Sequence, residues 1–343
     1  YYNGFVWNAA NETWDSAFAP RPATIPITSP NVIINGAFDF WQRGTSFTAT
    51  GVYTADRWTH DFVSGAGTVS RQSFTPGDAP VADVEGTFFL RKAVTTGAQF
   101  SSLIHRVEDV RTFAGKTVTL SFWAKGTNPT GNFSVALLQN FGTGGSAQTN
   151  TTAIDLVLTS SWTRYTYTWT LPSVSGKTIG AGSHLWMSIY QKAANTTGST
   201  LDIWGAQLES GAAATEFRRN APSIQAELAA CQRYYEKTYL LATAPGTATT
   251  SGFYSSSQTS DGNGNIVVPI RFATPKRVVP IMTGYVPSSG VINAWGWQRS
   301  GTGGTATVFF DNFSEFGGRA YIAIGAAWTA GNVDAHWVAN AEL

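Results

Sequence analysis

Short runs in which apolar and polar residues alternate recur along most of this chain, as is typical of half-buried β-strands. The run at Lys116–Lys125 places apolar side chains on one face and Thr117, Thr119, Ser121 and Trp123 on the other. The run at Trp162–Leu171 alternates in the same way. Several such runs over residues 31–217, separated by polar loops, predict an antiparallel β-sandwich.

The hydrophobic pattern changes outside this region. Residues 218–241 place Ile224, Leu228, Cys231 and Tyr235 at helical spacing, which predicts a short linking helix. Residues 242–343 return to strand-like runs and predict a second small β-sandwich. Residues 1–30 combine aromatic residues with closely spaced prolines, which oppose helix, and predict an extended arm for assembly. The predicted fold class is therefore all-β.

The composition argues against nucleic acid and membranes as partners of this chain. Only 13% of the residues are charged, about half the usual quarter, and the net charge is +1. Because the basic residues are scattered, no positive stripe for nucleic acid is predicted. No apolar run reaches about 18 residues, so no membrane-spanning helix is predicted. A surface rich in hydroxyl and amide groups suits contact with neutral polymers or with other subunits.

Motifs for catalysis are missing from the sequence. There is no Gly-x-Ser-x-Gly elbow, and no two of the histidines are four residues apart. The single cysteine, Cys231, forms no paired-cysteine zinc motif and is interpreted as a buried apolar residue. The prediction is a protein that is not an enzyme. Glycoside hydrolysis by two carboxylates stays an alternative, because sequence alone does not pair the acidic residues.

Aromatic residues and a few acidic ones are the candidate binding groups. Most of the 13 tryptophans are expected in the core, but strand alternation predicts that Trp123 and Trp162 are exposed and stack on sugar rings. Four residues near the first and last strands of the sandwich form a candidate structural calcium site, since those strands are often neighbours in jelly rolls: Asn35, Asp39, Asp202 and Glu209. Turn-capping roles are the alternative for these four residues. No other cofactor is predicted.

A series of motifs gives a more specific signal. In chain order these are NVIINGAFDFWQRGTSF, YTADRW, LSFWAKG, FGTGGS, SSWTRYTYTWTLP, LDIWGAQLESGAAATEF and ELAACQRYYEK, with HWVANAEL at the end. Over about residues 31–240 they resemble the carbohydrate-binding-module-like jelly roll of bacteriophage tail-fibre and receptor-binding proteins. The pair formed by WGAQLE…ATEF and CQRYYEK is specific as a joint signature.

The resemblance implies a role in the virion without catalysis. It implies a homotrimer at the distal tail that binds a host cell-surface glycan and contacts other tail proteins through residues 1–30. One alternative is a structural virion component, such as a head fibre, decoration or baseplate protein, that uses the jelly roll for packing. The other alternative is a polysaccharide depolymerase.

Overall fold

The computed structural model describes most of the chain and begins with an isolated pair of strands. β1 (Phe5–Asn8) and β2 (Thr13–Ser16) pair in antiparallel fashion. The remainder of the predicted arm lies outside the described residues. The described ranges are 5–8, 13–16, 31–63, 65–81, 84–97, 100–127, 133–191, 197–261, 263–299, 301–325 and 331–343.

Two antiparallel sheets form a β-sandwich between residues 46 and 210. Sheet I contains β4 (Trp58–Val63), β7 (Phe100–Glu108), β9 (Phe133–Asn140), β10 (Thr149–Asn150), β11 (Ile154–Leu156) and β13 (His184–Gln191). Sheet II contains β3 (Ser46–Phe47), β5 (Ala66–Ser73), β6 (Phe88–Thr96), β8 (Thr117–Gly126), β12 (Thr163–Thr170) and β14 (Thr200–Ser210). The order is β10-β9-β13-β7-β4 in sheet I, with β11 beside β9, and β12-β8-β14-β6-β5-β3 in sheet II. This arrangement confirms the predicted all-β sandwich.

The sandwich core lies between the two sheets and follows the alternation of the strands. On β8 the inward side chains are completely buried, and β13 contributes inward side chains that are at most 1% exposed: Val118, Leu120, Phe122 and Ala124 from β8, and Leu185, Met187 and Ile189 from β13. Removing this much apolar surface from water is the main force that holds the sheets together.

The outer face of sheet II is covered by a second apolar layer. Trp123 on β8 and Trp204 on β14 point outward there, with ring centroids 5.7 Å apart. Phe217, from the segment after β14, packs edge-on against Trp123 at 6.2 Å. Trp123 is consequently only 9% exposed, which contradicts the exposure predicted from its strand position. The outer face of sheet I is instead open and forms a groove.

One helix follows the sandwich. α1 comprises Ile224–Gln232 and is shorter than the predicted 218–241. Ser223 caps its start, because its hydroxyl accepts a hydrogen bond from the N–H of Ala226 at 3.2 Å. The predicted C-terminal end of the helix is wrong, since α1 ends at Gln232 and Tyr235–Lys237 forms strand β15 instead. No helix of the described residues is long and apolar enough to cross a membrane.

The buried face of α1 also differs from the predicted one. Ile224 is 43% exposed, whereas Glu227 and Cys231 are the buried helix residues. The Glu227 carboxylate accepts hydrogen bonds from the backbone N–H of Asn35 at 2.6 Å and of Ala221 at 2.8 Å. A buried acid satisfied in this way ties the helix to the first turn of the sandwich.

The remaining strands form sheet III around a second apolar core. They are β15 (Tyr235–Lys237), β16 (Tyr254–Gln258), β17 (Asn265–Arg271), β18 (Ile281–Tyr285), β19 (Ala294–Arg299), β20 (Thr302–Ser314), β21 (Gly317–Ala323) and β22 (Gly331–Asn340). Their order is β15-β22-β19-β20-β21-β17. The first half of β22 pairs with β16 and β19, and its second half pairs with β15 and β18. The core includes Trp295, Val333 and Ile322.

Buried charged side chains join the sandwich to sheet III. Arg57 forms an ion pair with Glu342, and Arg43 donates to the same carboxylate at 3.1 Å. The Arg57 guanidinium lies 3.4 Å from the ring centroid of Tyr234, and that of Arg43 lies 3.5 Å from the centroid of Tyr235. We call these five residues the arginine clamp. Four sequence motifs, WQRG, ADRW, RYYEK and NAEL, therefore meet at one place.

Candidate functional site

The outer face of sheet I aligns side chains from neighbouring strands in rows, as antiparallel pairing requires. Three successive rows run across the sheet, namely Asp61–Ser102–Tyr190, Thr59–Ile104–Ser188–Ala136 and Arg106–Trp186–Leu138–Asn150. The middle row has no aromatic side chain and lies between two rows that do. It therefore forms the floor of a groove that runs across the strands.

This groove has a volume of about 320 Å³, which lies within the usual range of small-molecule sites. Its lining combines aromatic, aliphatic, hydroxyl and amide groups. The lining residues are Asp61, Phe100, Ser102, Ile104, Ala136, Leu138, Asn150, Thr151, Ala153, Trp186, Ser188 and Tyr190. Among them Asp61 is the one carboxylate, so the groove is mainly apolar, with a few hydroxyl and amide groups and little charge.

Aromatic side chains form the two walls of the groove. Trp186 and Tyr190 lie four residues apart on β13, which separates their Cα atoms by about 13 Å in an extended strand. Phe100, which is 38% exposed, packs against Tyr190 with ring centroids 5.7 Å apart. Both wall residues are half-buried, so packing fixes each ring while part of its surface faces the groove. Such walls suit a ligand with apolar faces and hydroxylated edges.

Asp61 lines the groove at its β4 end, and Arg106, of opposite charge, lies beside the groove next to Trp186. The hydroxyl of Ser102 donates to Oδ2 of Asp61 at 3.3 Å. On the opposite side of the floor, Nη1 of Arg106 donates to the hydroxyl oxygens of Tyr53 at 3.2 Å and Thr59 at 3.4 Å. These contacts give this end of the groove both a fixed hydrogen-bond donor and a fixed acceptor.

A buried lysine lies behind Asp61, inside the sandwich. Lys92 is 3% exposed, and its ammonium donates to the backbone carbonyls of Ser102 at 2.7 Å and Asp61 at 3.2 Å. Burial lowers the pKa of Lys92 to about 7, while the nearby Asp61 charge acts in the opposite direction. The negative charge of Asp61 is therefore partly balanced from below the sheet.

The predicted stacking residues Trp123 and Trp162 lie away from this groove, on the outer side of sheet II. Trp162 is half-buried, with its ring centroid 5.3 Å from that of Phe89 and the ammonium of Lys125 at 5.0 Å. Trp123 is buried in the same cluster. A ligand-binding role for either residue stays a prediction, but only Trp162 has ring surface available for one.

Two carboxylates of the predicted calcium set are already paired with arginines. Asp39 accepts from Nε of Arg219 at 2.8 Å. Asp202 accepts from Arg91 through both oxygens, at 2.6 and 2.7 Å. A bidentate pair of this kind uses the lone pairs that a cation would need.

The other two members of that set also have separate roles. Glu209 accepts from the N–H of Thr215 at 2.9 Å, and Oδ1 of Asn35 accepts from the N–H of Phe40 at 3.0 Å. Asp202 and Glu209 are seven residues apart on one strand, about 23 Å along its length. The predicted calcium site is therefore wrong, because its residues do not converge. In the described part of the chain, no group of three or more His, Cys, Asp or Glu side chains is placed to hold a metal ion.

Trp186 and Tyr190 are functional candidates that sequence reasoning missed, since most of the tryptophans were predicted to lie in the core. The signal was present in HLWMSIYQ, where Leu185, Met187 and Ile189 alternate with the polar and aromatic positions. The inward set is buried, so the outward set had to include Trp186 and Tyr190.

Comparisons with known proteins address the same region. Residues 85–180 match the family model described as a carbohydrate binding domain. The match covers less than half of the chain, but it includes β7 and β9 and hence much of the groove floor. It supports carbohydrate binding by this part of the molecule. No curated protein matches the sequence.

Solved structures resemble the chain only distantly. The enzymatically active domain of bacteriophage CBA120 tailspike protein 4 has 14% identity and a TM-score of 0.34, covering 53% of this chain. The chain spans 22% of the length of that tailspike. The carbohydrate-binding module TmCBM61, solved with β-1,4-galactotriose, has 12% identity and a TM-score of 0.34, covering 53% of this chain and 100% of the module. A cyclase from Fischerella sp. TAU has 14% identity and a TM-score of 0.36, covering 53% of this chain and 97% of the cyclase.

Proposed function

We propose that this chain is a non-enzymatic tail protein of a phage virion, a tail fibre or receptor-binding protein that attaches the particle to a host cell-surface glycan. The observation that carries the glycan-binding part is the groove between Trp186 and Tyr190, whose floor includes β7 and β9 from the region matched by a carbohydrate binding domain. The motifs shared in order with phage tail-fibre proteins support the location.

The dimensions of the groove suit a segment of a polymer. The floor crosses β4, β7, β13 and β9, a width of about 15 Å at the usual strand spacing. Hydroxyl and amide groups from Ser102, Ser188 and Asn150 provide hydrogen bonds along that width. A sugar chain presents apolar ring faces to the aromatic walls and hydroxyl groups to this floor.

The carboxylate content of the groove favours binding over hydrolysis. Glycosidases place two carboxyl groups roughly 5–10 Å apart across the scissile bond. Among the described lining residues Asp61 is the single carboxylate, and its Oδ2 accepts from Ser102. The groove therefore offers one half of the required pair.

Trimer formation and attachment to neighbouring tail proteins through residues 1–30 belong to the same proposal. A shallow groove makes few contacts, so a single site is expected to bind weakly. Three linked copies on one particle raise the effective concentration of the second and third sites by orders of magnitude. The low charge of the chain is consistent with close packing of several copies.

The decisive test compares two tryptophan variants. Trp186→Ala removes one wall of the groove and is expected to lower glycan affinity at least about tenfold, the usual scale for a buried aromatic contact. Trp162→Ala removes a half-buried tryptophan from sheet II and serves as the matched control with unchanged affinity. Binding of both variants to host envelope polysaccharides is measured by isothermal titration calorimetry. If Trp162→Ala loses binding while Trp186→Ala retains it, the binding surface lies on sheet II.

The attachment role has its own test. The purified chain is added to host cells before the phage, and phage adsorption is counted. Competition is expected from the wild-type chain and not from Trp186→Ala. Glycan binding without competition would favour the structural alternative, in which the jelly roll packs inside the particle.

A further inference from the structure

Arg106 lies at the edge of the groove, beside the wall residue Trp186, and has no carboxylate partner among the described residues. Its backbone carbonyl accepts from Nη2 of Arg57 at 2.6 Å, and its guanidinium lies 5.4 Å from the ring centroid of Trp186. Nη1 is occupied by the hydroxyl groups of Tyr53 and Thr59. In the described residues Nε and Nη2 make no such contact. This leaves one edge of the planar fork, Nε with Nη2, available to a ligand.

The free edge has the geometry that binds a carboxylate. Two parallel N–H groups of a guanidinium match the two oxygens of a carboxylate, and this bidentate contact is stronger than a neutral hydrogen bond. The hydroxyl groups of Tyr53 and Thr59 fix the guanidinium, so less side-chain entropy is lost on binding. The adjacent Trp186 ring excludes water from one side of the pair.

The surroundings of Arg106 are positively charged. The effect of this positive charge is seen at His184, on the neighbouring strand β13. Burial lowers the pKa of His184, and the charges of Arg106, Arg57 and Arg277 lower it further. The acid nearest along the same strand, Glu108, is already paired, since it accepts from Arg233 at 2.9 Å.

At the other side of the groove floor, the single acid is partly compensated. The Lys92 ammonium lies behind Asp61 and hydrogen-bonds to its backbone carbonyl. An anionic ligand at Arg106 therefore meets an uncompensated cation, and its repulsion by Asp61 is reduced.

We infer that the glycan bound in the groove carries carboxylate groups, as in a uronic-acid or sialic-acid polymer, and that Arg106 binds one of them beside Trp186. This inference rests on the proposed function, because it names the class of glycan for the same groove. It assigns Arg106 as the residue that selects acidic over neutral polymers.

The experiment uses acidic polysaccharides and their neutral counterparts. Alginate, polygalacturonate, hyaluronate and polysialate are each tested beside the same polymer after chemical reduction of its carboxyl groups to alcohols. Affinity for the full chain is measured by calorimetry. At least one acidic polymer is expected to bind, and its reduced form at least about tenfold more weakly. Binding of the acidic form should also weaken as salt is added.

Variants separate selection from folding. Arg106→Met should bind the acidic and reduced forms of the polymer equally. Arg106→Lys should prefer the acidic form less strongly than the wild type does, because lysine retains the positive charge without the two parallel N–H groups of the guanidinium. Arg111→Met, on an exposed arginine paired with Asp109, is the control that keeps the wild-type preference. The ratio of the two affinities does not depend on how much variant protein is folded.

The outcomes distinguish this inference from the proposed function. Equal binding of acidic and reduced polymers by the wild-type chain would overturn the inference about carboxylates. It would leave the proposed glycan-binding function standing. An unchanged preference in Arg106→Met would overturn the assignment of Arg106. Failure of every polymer, acidic or reduced, to bind would overturn the proposed glycan-binding function and this inference with it.

Discussion

Lys92 is a buried lysine whose proton is linked to the folding of the sandwich. It lies between the sheets on β6, next to Phe62, whose ring centroid is 4.6 Å from the ammonium. Its pKa is about 7 in the folded chain and 10.5 in the unfolded reference. Between these pH values the unfolded chain holds a proton that the folded chain has released. The stability of the fold therefore rises as the pH increases from about 7 towards 10.5.

The substitution Lys92→Met tests this linkage. The variant should be more stable than the wild type at pH 7, by an amount on the order of a few kcal/mol, and should show a flatter rise in stability between pH 7 and 9. Some increase in stability with pH should remain in Lys92→Met, because burial also lowers the pKa of Lys237 to about 8. Urea denaturation at several pH values measures the free energy of unfolding. Lys125→Met, on β8 of the same sheet, is the control. A pH slope in Lys92→Met identical to that of the wild type would contradict the linkage.

At the same scale, the sequence identified which way a side chain points more reliably than whether it is exposed. Trp123 and Trp186 both point away from the core of the sandwich, as alternation requires. Trp123 is covered by Phe217, which comes 94 positions later in the chain, whereas Trp186 is left at an open groove. Covering depends on where distant segments fold, and a local pattern carries no information about it.

At the scale of elements, strands were predictable and their interruptions were not. The alternation in Lys116–Lys125 and Trp162–Leu171 matches β8 and β12, and β12 pairs with β8 along its whole length. The end of α1 was not predictable, because Tyr235 continues the helical spacing but pairs with Asn340 of β22 instead. A tertiary contact thus overrides a weak local preference for helix.

β14 contains an interruption that depends on one glycine. The register shifts between Trp204 and Gln207, a β-bulge that keeps Ile203 and Leu208 both directed into the core. Gly205 has a φ of +66°, which disfavours any residue with a Cβ. A Cβ there would also lie 2.8 Å from Cε3 of Trp123. The bulge and the covering layer of sheet II therefore require glycine at this position.

Gly205→Ala is expected to lower the free energy of unfolding by about 1–3 kcal/mol, the usual cost of a strained backbone position. Gly296→Ala is the matched control, since a Cβ at Gly296 meets nothing closer than 3.5 Å. Denaturation by urea, followed by tryptophan fluorescence, measures both variants. A loss in Gly205→Ala no larger than that of the control would show that β14 tolerates a regular strand here.

At the scale of the whole molecule, four of the sequence motifs meet at one place, which the sequence did not reveal. WQRG, ADRW, RYYEK and NAEL are far apart in the chain, yet their residues form the arginine clamp. The motifs pointed to a family, but their meeting point depends on how sheet III docks against the sandwich. Tyr53, whose hydroxyl donates to the backbone carbonyl of Leu343 at 2.9 Å, also contacts Arg106. The clamp is thus continuous with the β4 end of the groove.

Breaking the clamp should uncouple the two halves of the chain. Glu342→Gln leaves the buried guanidinium of Arg57 without its counter-charge, and removing one partner of a buried ion pair typically costs about 3–5 kcal/mol. Differential scanning calorimetry is expected to show one cooperative transition in the wild type and two separate, lower transitions in the variant. Asp311→Asn removes the partner of Arg319 in an exposed pair and should change the transition little. A single unshifted transition in Glu342→Gln would show that contacts other than the clamp hold sheet III to the sandwich.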